Sequence, residues 1–207
     1  MVQVIQASEL TLYDLEEKFN LQQVQDEQFF PEWQEDLAEL AETEKQWLDR
    51  VKANFLYLAK YPMHEEVVKM VVLSPLLSLA GFYNPPFRLV AEKQVEITCE
   101  DEDEIVRGRI DVLVLHQRLW VIVIEAKRKR FNVLEGVPQG LFYMMGNART
   151  ERPIFGLVTN GSEFLLMKLV QQEQSHYSLS RLFSLINPGN DLYRVLSILR
   201  RLRELVV

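Results

Sequence analysis

The sequence predicts an α/β fold in which helices pack on a mixed sheet, and three observations carry that prediction. Two apolar, β-branched-rich runs, residues 109–114 and 120–127, flank His116-Gln117-Arg118 and read as a β-hairpin. Apolar residues at helical spacing precede this hairpin and follow it. A second strand pair, residues 154–159 and 163–169, surrounds Asn160-Gly161, a strong short hairpin signal. The order is therefore helix, three strands, helix, two strands.

A chain of 207 residues can bury one well-packed core and still carry an extension. Residues 1–60 read as an amino-terminal helical extension packed on the core, and residues 61–207 as the core with a carboxy-terminal helix. Hydrophobic content of 48% with 26% charged residues is that of an ordinary globular protein. No apolar run approaches membrane-spanning length, and no basic-then-apolar leader opens the chain, so no membrane partner is expected. The one cysteine, Cys99, excludes an internal disulfide framework and fits a reducing cytoplasm.

In the extension, Leu10 to Leu15 is a short amphipathic stretch. Beyond Pro31, Leu37, Leu40, Ala41, Trp47, Leu48 and Val51 recur at helical spacing. This helix covers the core or offers a partner surface. Pro62 opens the next unit, a helical run from Met63 towards Leu79 that stops at Gly81. Pro75 inside it predicts a kink or an earlier stop. Glu65, Val68, Val72 and Leu79 share one face, so Glu65 borders a buried stripe, and the helix dipole favours a carboxylate there. Pro85-Pro86 precedes a strand over residues 87–98, and the acidic run at 100–104 suits a solvated hairpin tip or a further cation site. Residues 137–147 read as a helix with Pro138 in its first turn and with Gln139 and Tyr143 on one face. Arg149 and Arg152 follow in a loop. The closing helix, 192–205, turns Leu192, Val195, Leu196, Leu199 and Leu202 inward against the amino-terminal helices. His64, His116 and His176 lack zinc-ligand spacing.

Three ionisable residues interrupt the central hairpin. A charge on a buried strand is costly unless it is paired or holds a metal, so Asp111, Glu125 and Lys127 need a reason. Alternation puts Glu125 and Lys127 on one face. A register pairing 111 with 125 adds Asp111 to that face, whereas pairing 111 with 124 sends it to the other. Two converging carboxylates make an oxygen-rich site for Mg²⁺, with Mn²⁺ the alternative, and the lysine could orient a water that attacks a phosphodiester. The other reading is a Glu125–Lys127 salt bridge with Asp111 at the turn. Arg109 shares the face of Asp111 and contacts either phosphate or that carboxylate.

With Asp111, then Glu125-Ala126-Lys127, then Gln139-Gly140-Leu141-Phe142-Tyr143, then Gly156 to Gly161, the chain resembles the PD-(D/E)XK nuclease superfamily. The likeness is closest to the nuclease domain at the start of type I restriction enzyme R subunits, and it extends over about residues 61–170. It implies a restriction-endonuclease-like α-β-β-β-α-β core. It also implies that Glu65, with Glu66 the substitute, joins Asp111 and Glu125 in holding Mg²⁺. Lys127 would place the hydrolytic water, and Gln139 and Tyr143 would approach the site and the nucleic-acid backbone.

The expected activity is metal-dependent hydrolysis of DNA, with RNA as the other candidate polymer, by a stand-alone relative or one that needs a partner chain or a second copy. The alternative is a catalytically silent module for nucleic-acid binding or assembly. A net charge of −7 is unusual for a nucleic-acid binder, but the acidity is concentrated in the first third and at 100–104. Residues 127–130, Lys-Arg-Lys-Arg, supply a local basic field or a solvated loop. No phosphate-loop motif is present to drive ATP-fuelled translocation.

Overall fold

The computed structural model describes residues 3–99, 104–116, 119–126, 132–146 and 152–206, with the backbone alone at 3, 98–99, 104 and 119–126. The β-branched runs form three long strands, β3 (Phe87–Cys99), β4 (Glu104–His116) and β5 (Leu119–Ala126). They continue into β6 (Ile154–Thr159), β7 (Glu163–Val170), β8 (Ser175–Leu179) and β9 (Phe183–Ser184). β5 and β6 are parallel, which requires a crossover, and α5 (Val137–Met145) lies within that connection. The remaining neighbours among these seven strands run antiparallel, so the sheet is mixed as expected. Gly161, with φ of +86°, supplies the left-handed residue of the Asn160-Gly161-Ser162 turn between β6 and β7.

Helices cover both faces. On one face α2 (Glu42–Leu58), α3 (Glu65–Val68), α4 (Ser74–Ala80) and α6 (Leu192–Leu205) pack with Val114, Phe155, Leu157, Phe164 and Leu166. On the other, α1 (Leu12–Phe19) and α5 pack with Val106, Ile110, Leu113, Val158, Leu165 and Met167. The alternation of Leu157 and Val158 between the two cores shows why β6 is buried along its whole length. Among the described residues no helix is long and apolar enough to cross a membrane.

The extension is not purely helical. β1 (Gln3–Gln6) adds parallel to β4, and β2 (Leu21–Gln23) adds parallel to β8, giving the order β1-β4-β5-β6-β7-β8-β2 with β3 beside β4 and β9 beside β7. Both strands are too short and too rich in glutamine for periodicity to reveal. The helix expected from Met63 stays continuous past Pro75 because residues 69–73 form a wide π turn between α3 and α4, in which the Ser74 N–H bonds the Lys69 carbonyl. α4 stops at Gly81 as expected, with Phe82 N–H on Leu77 O and Gly81 N–H on Ser78 O. Of the acidic run, residues 100–103 lie outside the described residues.

The β4–β5 register contains an irregularity that the sequence does not announce. His116 pairs with Leu119 and Leu115 with Trp120, and that spacing, if continued, would set 111 against 124. Instead Val114 pairs with Ile122, leaving Val121 as an extra residue on β5. From there the ladder reaches Val112↔Ile124, its last pair, in the spacing that, continued one step, would set 125 rather than 124 against 111.

Candidate active site

One edge of β4 is paired throughout with β3, from Phe87↔His116 to Cys99↔Glu104. Its other edge is shared: β1 takes positions 104–107 and β5 takes 112–116. Between these two ladders, positions 108–111 have no strand partner on that edge among the described residues. A cleft of 240 Å³ opens at this fork, lined by Gln6, Ala7 and Ser8 on one lip and by Glu65, Asp111, Gln139 and Tyr143 within.

Asp111 enters the cleft at a break in strand alternation. Val106 and Ile110 face the α1–α5 core, two and four positions in phase, yet beyond Asp111 it is Leu113 that faces that core while Val114 faces the other. β3 inverts opposite the same point, with Val95 and Val90 on one side and Leu89 on the other. The residue opposite Asp111, Glu92, has φ of +56°, a left-handed conformation uncommon for a side chain of its kind. Asp111 is itself only 8% exposed.

Lys69, where α3 passes into the π turn, reaches this carboxylate. Lys69 Nζ lies 2.6 Å from Asp111 Oδ1, 2.9 Å from Glu65 Oε1 one helical turn away, and 3.5 Å from Glu92 Oε1. Burial alone would depress the ammonium, but its hydrogen bonds to Asp111 and Glu65, reinforced by their charges, hold its pKa above the usual lysine range. Glu92 is in turn held by Arg109, whose Nε is 2.6 Å from Glu92 Oε2. Arg109 thus pairs with Glu92 rather than with Asp111.

α5 builds the opposite wall. Tyr143 is buried, and its hydroxyl accepts from Gln139 Nε2 at 2.7 Å and from the Arg109 N–H at 3.0 Å. The ring lies so close to β4 that a Cβ on Gly108 would stand 2.5 Å from it. Glycine at 108 is a packing requirement.

The structure thus gathers Glu65, Asp111, Gln139 and Tyr143 around one cleft, while Glu66 is exposed to solvent. The side chain of Glu125 and the whole of Lys127, with Arg128, Lys129, Arg130 and Arg149, lie outside the described residues; Glu125 is placed by its backbone, paired with Val158 of β6. Arg152 is described and exposed. No group of three or more His, Cys, Asp or Glu that could hold a metal ion occurs among the described residues. The donor chemistry nevertheless suits a hard cation, because the carboxylates of Glu65 and Asp111 converge on one positive centre.

A family model described as the type I restriction enzyme R protein N terminus matches residues 12–175. The chain belongs to that family. Membership in the R protein N-terminal family bears out the R-subunit-like domain that the resemblance implied. Among solved structures the chain is similar to a fragment assigned as an HsdR subunit of a type I restriction enzyme from Vibrio vulnificus YJ016. The identity is 21% and the TM-score 0.40, over 66% of this chain and 26% of that one. The chain thus spans about a quarter of the length of that neighbour. No curated protein matches it.

Two residues of this R protein N-terminal site were not foreseen. Lys69 falls within the helical run from Met63, and no spacing within one helix announces its meeting with Asp111 of β4. Glu92 sat in a run taken as an ordinary strand; the Ala91-Glu92-Lys93 interruption of apolar character was the available signal.

Proposed function

We propose that this R protein N-terminal domain is a PD-(D/E)XK-type nuclease that hydrolyses phosphodiester bonds of DNA with Mg²⁺, Mn²⁺ being able to replace it. The observation that carries the reading is the convergence of Glu65 and Asp111 on a single positive centre in a cleft also lined by Gln139 and Tyr143. Glu65, Asp111 and Glu125 would hold the cation, which supplies charge neutralisation at the phosphate and acidifies water. Lys127 would orient the attacking water. The Tyr143 hydroxyl, bonded by the Arg109 N–H and by Gln139, holds α5 against β4 beside the cleft, and Gln139 would meet a nucleic-acid backbone there. The basic residues 127–130 would draw in the polymer despite the acidic net charge.

The alternative, a silent binding or assembly module, is favoured by one observation: Lys69 already satisfies both carboxylates without any added ion. Cleavage of plasmid and linear DNA with Mg²⁺ or Mn²⁺ decides between them. The parent protein is expected to cut, and Glu125→Ala and Lys127→Ala to lose about 10²-fold or more of the rate. A parent that binds DNA but leaves it intact under both ions establishes the silent module.

A further inference from the structure

We propose that Lys69 is a built-in counter-ion for the cation position, displaced from Glu65 and Asp111 when a divalent ion binds and received by Glu92. This inference rests on the metal-dependent reading above. Three carboxylates that face one another without a cation would repel and splay, and the fold needs some positive charge between them before any ion arrives. Lys69 provides it, with its three ammonium donors facing three acceptors at 2.6, 2.9 and 3.5 Å. The distances are unequal. Asp111 and Glu65 hold the ammonium closely, whereas Glu92 stands just beyond hydrogen-bond length.

Glu92 is built as a waiting partner. Its backbone is turned into the left-handed region directly opposite Asp111, and its second oxygen is fixed by Arg109 at 2.6 Å. A short rotation of the lysine side chain carries Nζ from the Asp111 side to the Glu92 side without moving the helix. Lys69 is accordingly a positioning residue. It shapes the ion-free site and lowers its cation affinity, so that the ion is held firmly only when further ligands join it.

Calorimetric titration with Mn²⁺ alone, without DNA, tests this on the full chain. Lys69→Met keeps the length of the side chain and removes the charge, and should tighten Mn²⁺ binding by about tenfold. Glu92→Gln removes the receiving carboxylate and should weaken binding by about threefold. Arg107→Met takes the same charge from the same cleft, where Arg107 bonds Glu96 rather than Glu65 or Asp111, and should change binding less than Lys69→Met does. An unchanged or weaker affinity in Lys69→Met overturns the proposal, as does an equal gain in Arg107→Met, which would mean a general charge effect. If Lys69→Met does not fold, the Glu92→Gln arm decides, with equal or tighter binding counting against the proposal. Absence of Mn²⁺ binding in every variant and in the parent removes the metal-dependent reading itself, whereas parent binding with no gain in Lys69→Met removes only this inference.

Discussion

Deleting one oxygen atom tests the scaffolding of the cleft. In Tyr143→Phe the acceptor used by the Arg109 N–H and by Gln139 disappears, at a cost of about 1–2 kcal/mol of stability, readable as a lower urea midpoint. Gly108→Ala should cost more, about 2–3 kcal/mol, because its Cβ would stand 2.5 Å from the Tyr143 ring and 2.7 Å from Ala7 Cβ. If Gly108→Ala melts with the parent, the close packing of α5 on β4 is wrong. Glu65, Asp111, Gln139 and Tyr143 were legible because the resemblance named them, through motifs that each lie within one helix or strand. Lys69 and Glu92 were not, because they meet across two elements, a helix and a strand, far apart in the chain.

The central hairpin makes its prediction through its length. Inserting one valine between Val121 and Ile122 leaves the Leu115↔Trp120 pair in place and moves every later β5 residue one step along β4, so that 124 rather than 125 would come to lie against 111. The insertion should leave the far-ultraviolet circular dichroism close to that of the parent, since the β6–β7 hairpin and both helical layers are untouched. Cleavage should fall by about 10²-fold or more, as expected when a catalytic group is misplaced. Retained cleavage would show that the register does not place the site. The two apolar runs and the loop between them were readable from β-branched content, whereas the sequence left two registers open, 111 with 125 and 111 with 124. The bulge that shifts the ladder before Val114↔Ile122 was not readable, because a bulge residue such as Val121 has the same composition as its paired neighbours.

Across the whole molecule, Arg200 on α6 ties two other helices together: it bonds the Glu44 carboxylate near the start of α2 and the Leu79 carbonyl near the end of α4. The Arg200 hydrogen bond holds the Glu44 pKa below its ordinary value of 4.5, so its stabilisation is present above that pH and is lost as pH falls through the depressed value. Glu44→Gln should therefore lower stability by about 1 kcal/mol at neutral pH, with the two melting curves converging as the carboxylate of the parent becomes protonated in acid. A difference that persists unchanged at acid pH would point to packing instead. The packing of α6 on the amino-terminal helices followed from its leucine stripe, but β1, β2, β8 and β9 were invisible, being short strands recruited by edges already formed elsewhere. That recruitment has a consequence for access. One lip of the cleft ends a parallel clip of four residues, Gln3 to Gln6, laid on β4, with Ile5 packed at the edge of the α1–α5 core. Peeling it back would widen the mouth for a thick polymer at the expense of a handful of amide bonds, and hydrogen exchange at those amides should outpace exchange along β6 by orders of magnitude.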